Sequence, residues 1–315
     1  MKTIILTEPN SEKILNQYGP DLLEKLAKIS ELSIYNNCKN DFSNIPELFD
    51  DSEKILLFDP FSVQNNFNDI TKALPSFTNL KYMFSPYSFY TGLDLELLKK
   101  LEIKYRNNTG VNSAAVSQFA ITLMFMLLRK YTILAKLIKP PDGSILGEEI
   151  FSKSVGIIGM GNVGLELYKF LKKLDIQTTY YNRTDKHLNI EKVEFEKIFD
   201  QDIIFISLAT NDNTIYLMKE LQKYLRPHHY LIDITSFDEL YDKQNIINML
   251  QEDNLRGYAL ETDDTTKYKG NDKNLLVTPH MAWSTVEEET SMVRTYLGYA
   301  MDVLEGNADK INYLI

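Results

Sequence analysis

The sequence predicts an α/β protein with two domains, each a parallel sheet covered by helices. Strand and helix signals alternate along the chain, which is typical of parallel strands joined by helices. A glycine-rich turn of the pattern G-x-G-x-x-G lies near the middle of the chain rather than at its start. Such a turn usually opens a domain of its own, and 315 residues exceed the size of a single core, so two domains are expected.

The first part of the chain carries the elements of a small α/β domain. A helical pattern covers residues 11–29, with Ser11 as the expected N-cap, and a second helical pattern covers residues 93–100. Short apolar segments between them predict strands at residues 3–7, 32–35, 54–58, 82–84 and 103–105.

The most apolar helix is predicted over residues 112–130, where apolar side chains cover more than one face. One interpretation is a core helix that joins two domains. The other is a helix that also packs against a second subunit. Residues 133–149, which include the Pro-Pro-Asp-Gly segment 140–143, are expected to form a surface connection.

A phosphate-binding turn is predicted where a buried strand, residues 155–158, runs into a helical pattern. The first glycine of the motif permits the tight turn, the second leaves room for a phosphate, and the third lets the helix pack on the strand. The first N–H groups of the helix can then bind the pyrophosphate of a dinucleotide. The residues expected there are Gly159, Gly161, Asn162, Val163 and Gly164.

The end of the next predicted strand, residues 176–181, bears on the choice between NAD and NADP. An NAD site usually has an acidic side chain there, which accepts hydrogen bonds from the ribose and repels a 2′-phosphate. Asn182 stands in that position, and Arg183 and Thr184 can donate to a phosphate. Asp185 weakens this argument, and Arg183 is alternatively a solvated loop residue. The sequence favours NADP over NAD as the cofactor.

Three later apolar segments, residues 202–208, 230–235 and 275–280, continue the second sheet. Ligands of open parallel sheets lie beyond the carboxyl ends of the strands. His280 closes the last segment, and its imidazole can transfer a proton near neutral pH. On position alone it is equally consistent with a structural hydrogen-bond donor. Further cofactor contacts are expected from Leu208, Ala209, Ile234 and Thr235.

Composition and charge exclude several classes of protein. The net charge of -10 and the lack of long basic runs argue against a nucleic-acid partner. The longest apolar stretch, residues 119–128, is too short for a membrane span. The single cysteine, Cys38, cannot form an internal disulfide, and the first residues do not resemble a signal peptide. A cytoplasmic protein without a metal site is therefore expected.

An ordered series of motifs resembles the D-isomer-specific 2-hydroxyacid dehydrogenases, a family that includes glyoxylate and hydroxypyruvate reductases. The resemblance covers nearly the whole chain. Its motifs are residues 110–118, 155–164, 207–214, 257–261 and 278–283.

The resemblance implies a Rossmann-type, doubly wound dinucleotide-binding domain inserted into a flavodoxin-like substrate domain. The inserted domain would span residues 109–283, and the substrate domain residues 1–108 and 284–315, with a last helix over residues 286–304. The resemblance also implies a homodimer. The implied activity is NAD(P)H-dependent reduction of a 2-oxo acid or related carbonyl compound, with His280 as the proton donor.

The sequence departs from this family at two of its catalytic positions. The family arginine, which holds the substrate carboxylate, corresponds to Ser236, and the family glutamate, which partners the histidine, corresponds to Thr266. Asp263, Asp264 and Glu261 are open as replacements for that glutamate, although Glu261 corresponds to a residue that contacts the nicotinamide. If nothing replaces the lost residues, the alternative function is a catalytically degenerate dinucleotide-binding sensor or regulatory protein.

The segment after the fourth predicted strand also differs from the family, whose glycine-rich turn is replaced by residues 85–90 with their three aromatic side chains. Ordinary packing is one interpretation. The other is a bulkier or aromatic substrate held by hydroxyl donors. Arg106 is the nearby cation that could bind a carboxylate in place of the family arginine. The substrate contacts expected from these comparisons are Tyr87, Ser88, Phe89, Arg106, Ser236 and Trp283.

Overall fold

The structure is a computed structural model that describes residues 1–36, 41–139, 143, 145–235, 238–268 and 273–315. Contacts divide the chain into two compact units. Unit 1 comprises Met1–Val111 and Thr285–Ile315, and unit 2 comprises Asn112–Ser284. Outside the described residues lie Cys38, residues 140–142 and Ser236, and what was expected of them stays a prediction.

Unit 1 is built on a parallel sheet. Up to residue 111 its elements are β1 (Lys2–Thr7), α1 (Pro9–Tyr18), α2 (Pro20–Ile29), β2 (Glu31–Asn36), β3 (Lys54–Phe58), α3 (Phe67–Ala73), β4 (Leu80–Ser85), α4 (Leu95–Lys100) and β5 (Lys104–Asn107). The strand order is β2-β1-β3-β4-β5, and β3 is buried along its whole length. This is the flavodoxin-like order, in which the direction of winding reverses between β1 and β3.

The single helix expected over residues 11–29 is wrong, because two helices occupy this segment. Gly19 lies between the two helices, and Pro20 begins α2. Proline has no N–H for a helix interior and favours the first turn of a new helix. Pro9 likewise begins α1 earlier than expected. The N-cap of α1 is therefore Glu8, and Ser11 lies within its first turn.

Unit 2 is built on a second parallel sheet. Its elements are α5 (Ser113–Leu128), α6 (Tyr131–Leu134), β6 (Val155–Ile158), α7 (Asn162–Lys173), β7 (Thr178–Tyr181), β8 (Glu191–Lys192), β9 (Ile203–Ile206), α8 (Asp212–Met218), β10 (Tyr230–Asp233), α9 (Lys243–Gln251), β11 (Gly257–Thr262) and β12 (Leu275–Pro279). The strand order is β12-β11-β10-β9-β6-β7-β8. The sheet is doubly wound, and winding reverses between β6 and β9. The predicted fold class, a Rossmann-type domain inserted into a flavodoxin-like one, is confirmed.

The apolar helix predicted over residues 112–130 is α5, and it packs against α7 in the core of unit 2. Leu123, Met124 and Leu127 are almost completely buried, whereas Phe125 is partly exposed. Burial on more than one face explains why the segment lacks a polar side. Among the residues that the structure describes, no helix is long and apolar enough to cross a membrane.

The chain returns to unit 1 in α10 (Val286–Leu304), which has the bounds predicted from the sequence. This helix packs on α1 and α2. Its buried side chains, including Val293 and Leu297, join Ile5 and Leu57 of the sheet in one core. The last segment of the chain therefore completes the first domain.

Candidate active site

The glycine turn lies between β6 and α7, where the winding of unit 2 reverses. Gly159 has a φ of +99°, and a Cβ there would collide with the carbonyl oxygen of Ser207. A Cβ on Gly164 would collide with the carbonyl oxygen of Gly159. At Gly161, in contrast, a Cβ would meet no heavy atom of the described residues within 4 Å. Gly159 and Gly164 are thus required by packing, while Gly161 leaves the backbone open to a ligand such as a phosphate.

Asn182 follows β7 and connects the end of this strand to the glycine turn. Its Oδ1 accepts a hydrogen bond from the Met160 N–H at 3.1 Å, and its Nδ2 donates to the Thr184 carbonyl oxygen at 2.8 Å. Arg183 and Thr184 are exposed. Within the described parts of the chain, Arg183 makes no ion pair. An exposed cation and a hydroxyl, which accepts from Asn182 Nδ2 at 3.2 Å, thus directly follow the residue that contacts the turn.

Asp185, the acid that weakens the NADP argument, is held by local donors. Its Oδ1 accepts from the Tyr180 hydroxyl at 3.2 Å and from the His187 N–H at 2.8 Å. The His187 N–H also lowers the pKa of Asp185 below its usual value, so the carboxylate is ionised at neutral pH. Asp185 thus uses one oxygen to fix the loop.

His280 follows β12, and Asp263 follows β11, the neighbouring strand. The two strands are paired in parallel up to Thr262 and Pro279, so the residues after them lie side by side. His280 Nδ1 lies 3.3 Å from Asp263 Oδ1, and the side chains are 45% and 81% exposed. The His280 N–H donates to the Thr262 carbonyl oxygen at 3.1 Å. The carboxyl edge of the sheet therefore carries a histidine–carboxylate pair.

Asp264 and Thr266 are engaged with each other rather than with His280. Asp264 Oδ1 accepts from the Thr266 N–H at 2.9 Å and from the Thr266 hydroxyl at 2.5 Å. The hydroxyl is the main cause of a lowered pKa of Asp264. This arrangement is a local cap of the turn at residues 265–268.

Glu261 is buried at the end of β11 and supports the segment after His280. Its Oε1 accepts hydrogen bonds from the N–H groups of Met281 and Ala282 at 2.9 and 2.8 Å. Burial raises the pKa of Glu261, and the two N–H groups act in the opposite direction. Of the acids left open by the sequence, Asp263 is the one that contacts His280. The nicotinamide contact expected of Glu261 stays a prediction.

A buried charged network that the sequence did not predict lies beneath this edge. Lys243 on α9 is 2% exposed, and its Nζ donates to the Glu261 carbonyl oxygen at 3.0 Å. The same Nζ lies 3.5 Å from Asp233 Oδ2, which accepts from the Tyr241 hydroxyl at 2.7 Å. Asp233 Oδ1 accepts from the Thr235 N–H at 2.9 Å. Asp233, an acid at the end of the apolar strand β10, could have indicated this network from the sequence. Its partner Lys243, however, lies ten residues further along the chain.

The other predicted cofactor contacts follow β9 and β10 at the same edge. Ile234 and Thr235 are buried, Leu208 is half-buried and Ala209 is exposed. The Ala209 carbonyl oxygen accepts from the Thr214 hydroxyl at 2.7 Å, which fixes the start of α8. The structure thus brings these residues to the edge that carries the glycine turn and His280.

The predicted substrate residues of unit 1 follow β4 and lie on β5. Tyr87 stacks on Phe89 with ring centroids 5.7 Å apart, and the ring of Phe61 meets Tyr87 edge-on at 5.1 Å. The Ser88 carbonyl oxygen accepts from Asn107 Nδ2 at 2.6 Å. Arg106 is half-buried, with its Nε 3.5 Å from the Tyr299 hydroxyl. An aromatic cluster thus occupies the segment after β4. Trp283, in unit 2, is 36% exposed.

The middle part of the chain matches the model of a known protein family. The model of the D-isomer specific 2-hydroxyacid dehydrogenase, NAD binding domain, matches residues 121–282, about half of the chain. The chain belongs to this family. The match includes the glycine turn, the Asp263–His280 pair and Glu261. This dehydrogenase is an NAD(P)-dependent oxidoreductase, and the comparisons give no support to the sensor alternative.

Individual relatives agree with this membership. The glyoxylate reductase of Thermofilum pendens is 27% identical over 72% of this chain and 73% of its own. That of Thermococcus litoralis is 25% identical over 64% of this chain and 67% of its own. Among solved structures, D-2-hydroxyisocaproate dehydrogenase has a TM-score of 0.77 at 18% identity, with 97% of both chains covered. An acyclic imino acid reductase in complex with NADPH and D-Arg has a TM-score of 0.76 at 22% identity, with both chains fully covered.

Proposed function

We propose that this dehydrogenase reduces the carbonyl group of a 2-oxo acid or a related compound with NADPH, and that His280 donates the proton. The Asp263–His280 pair carries the proposal. It lies at the carboxyl edge of the sheet whose glycine turn fits a dinucleotide. Thr266 corresponds to the family glutamate, and Asp263, three residues before it, supplies the carboxylate instead.

The pair suggests how the proton moves. A nicotinamide dinucleotide held at the glycine turn would supply the hydride that the carbonyl carbon accepts. His280 gives a proton to the carbonyl oxygen, so that the ketone becomes a hydroxyl group. Since Nδ1 faces Asp263 at 3.3 Å, Nε2 is the nitrogen left to donate to the substrate. Asp263 orients the ring, and Glu261 holds the backbone after it.

Replacement of His280 tests the role of the pair. His280→Gln should lower kcat/KM about 10² to 10⁴-fold while NADPH still binds, since general acid catalysis contributes that much. His228→Gln is the matched control, because His228 is an exposed histidine of the same unit. Full activity of His280→Gln would show that another group donates the proton.

The substrate panel should contain 2-oxo acids, aldehydes and ketones, each followed by NADPH oxidation. One arm adds an amine to the 2-oxo acid, because a structural relative is an imino acid reductase. No turnover in any arm at saturating cofactor would favour the sensor alternative. Ser236→Arg should raise activity on glyoxylate or pyruvate, since arginine restores a bidentate contact to the carboxylate. Unchanged activity would argue against the correspondence of Ser236 with the family arginine.

The preference for NADPH over NADH is supported by exposed Arg183 and Thr184 and by a neutral Asn182 where NAD sites usually have an acid. Arg183→Ala should weaken NADPH binding about tenfold, the loss of one charged hydrogen bond. NADH binding serves as the internal control and should not change. Fluorescence of Trp283, the single tryptophan, can report both titrations. Equal affinity of the wild type for the two cofactors would contradict the preference.

A homodimer formed through unit 2 is supported by large apolar side chains that are exposed there. Tyr131, Leu146 and Phe151 are 54%, 69% and 77% exposed, and Ile138 is fully exposed. Phe151→Glu should shift a dimer toward monomer in light scattering, whereas Tyr216→Glu, at an 82% exposed tyrosine elsewhere in unit 2, should not. A monomeric wild type would refute this proposal.

The cytoplasmic location stays a prediction.

A further inference from the structure

A small pocket in unit 1 lies where β1, β3 and β4 end. Thr7 is the last residue of β1, Asp59 follows β3 and Tyr87 follows β4, while Ser11 comes from α1 and Tyr296 from α10. The pocket has room for about one water-sized group. Its polar lining consists of hydroxyl groups and one carboxyl group.

The position of this pocket in the sheet is that of a ligand site. The strand order β2-β1-β3-β4-β5 changes its direction of winding between β1 and β3. In open parallel sheets, ligands bind in the crevice at the carboxyl ends of the strands where this change occurs. Thr7 and Asp59 stand at those two strand ends.

Two buried groups of the pocket have no hydrogen-bond partner among the described residues. Asp59 is 2% exposed, and its Oδ1 accepts from the Phe61 N–H at 2.9 Å. Its Oδ2 is buried without a partner, as is the hydroxyl of Tyr296, which is also 2% exposed. Unsatisfied buried polar atoms are costly, so a missing partner is indicated.

The electrostatic environment of the pocket is negative. Burial raises the pKa of Asp59 above its usual value, the Ser11 hydroxyl and the Phe61 N–H lower it in part, and nearby Glu8 adds to the rise. Burial likewise raises the pKa of Tyr87, and the charges that act on it most strongly, those of Asp59, Glu8 and Glu289, are all negative. A cation in the pocket would offset these charges and stabilise the Asp59 carboxylate.

We propose that this pocket binds a small monovalent cation, an ammonium or alkali-metal ion, between Asp59 Oδ2 and the surrounding hydroxyl oxygens. The side-chain polar atoms of the lining are all oxygens, which favour a hard cation or an N–H donor, and the small size excludes a larger amine. The rest of the lining is apolar and consists of Ile14, Leu15, Pro86, Met292 and Val293. A single lining carboxylate matches a single positive charge. The part of the chain that the structure describes has no group of three or more His, Cys, Asp or Glu side chains able to hold a metal, which argues against a divalent ion.

Thermal unfolding of the full chain tests the proposal. The chlorides of potassium, sodium, ammonium and tetramethylammonium are compared at equal ionic strength. The midpoint should rise in a saturable way with at least one of the small cations. A rise of about 2 °C over tetramethylammonium is expected at ten times the dissociation constant. Identical midpoints in the four salts would overturn the proposal.

The Asp59→Asn variant locates the effect. Asparagine keeps the side-chain shape and an acceptor for the Phe61 N–H but removes the charge, so the dependence on the cation should disappear. Asp94→Asn should keep it, because exposed Asp94 also accepts a backbone N–H, from Leu97 at 2.9 Å, at another place in unit 1. A cation effect that persists in Asp59→Asn would show that the site lies elsewhere.

A second measurement uses the wild type alone and holds even if the variant does not fold. Crystals of the full chain soaked in a thallium(I) salt should show anomalous scattering in the pocket, since thallium(I) replaces potassium and ammonium. Water in the pocket with no anomalous peak would refute the cation. A peak beside Asp59 would support it.

Discussion

Replacement of Gly161 by alanine separates the fold of the glycine turn from its ligand. Gly161 has φ −80° and ψ −160°, an extended conformation that alanine adopts, and the added methyl group meets no described atom within 4 Å. Alanine is a poorer helix N-cap than glycine but loses less freedom on folding. These opposite effects leave the free energy of unfolding within about 1 kcal/mol of the wild type.

Cofactor affinity should respond differently to the same change. If the pyrophosphate approaches the backbone at Gly161, the methyl group occupies its space and weakens a charged hydrogen bond worth about 1.5 to 3 kcal/mol. The dissociation constant of NADPH should then rise about 10 to 100-fold. Gly159→Ala is the contrasting variant, because its Cβ collides with a backbone oxygen at a φ of +99°. That variant should lose at least about 3 kcal/mol of stability.

Urea unfolding and NADPH titration of the same samples provide the measurement. Wild-type affinity in Gly161→Ala would refute the inference that the phosphates lie against this residue. A strongly destabilised Gly161→Ala would instead refute the open space around it.

Three further predictions concern charged groups. Burial and neighbouring Glu289 raise the pKa of Glu288, which is 8% exposed, to about 7. Protonated Glu288 therefore stabilises the fold fully below pH 4.5, and this contribution is lost as the pH rises through 7. Urea unfolding of the wild type should therefore lose about 3 kcal/mol over that range relative to Glu288→Gln, and parallel profiles would refute this. Asp263→Asn should lower kcat/KM by at most about fivefold, because the pair with His280 is exposed to solvent; a far larger loss in steady-state kinetics would contradict the weak coupling. Lys243→Met should lower the free energy of unfolding in urea by about 3 to 5 kcal/mol, because it leaves buried Asp233 without a cation. The control, Lys169→Met, changes an exposed lysine and should cost much less. Equal losses in the two variants would disprove the network.

Local signals in the sequence predicted local structure well. The glycine turn was predictable because the strand before it, the left-handed Gly159 and the close approach at Gly164 all require particular residue types. The bounds of α10 agree with the last helix that the resemblance implies over residues 286–304. The error in the first helix arose where apolar periodicity continued across Gly19-Pro20, although proline there predicts a break.

Contacts between strands were beyond the reach of the sequence. Three acids near the end of β11 were left open as the partner of His280, although Glu261 had another expected role. The pairing of β11 with β12 selects Asp263, and register depends on the packing of the whole sheet. The same limit applies to Asp59, whose pocket is assembled from three strand ends and two helices.

The hydrogen bond from the Met160 N–H to Asn182 has a consequence for changing the coenzyme of this enzyme. The side chain that stands where NAD sites have an acid also fixes the backbone of the glycine turn. Asn182→Asp would keep this acceptor but lose the donor to the Thr184 carbonyl oxygen. On the proposed function, a substitution at this position that removes the acceptor would therefore disturb the glycine turn together with the coenzyme preference. A variant library aimed at NADH should randomise residues 182–184 together.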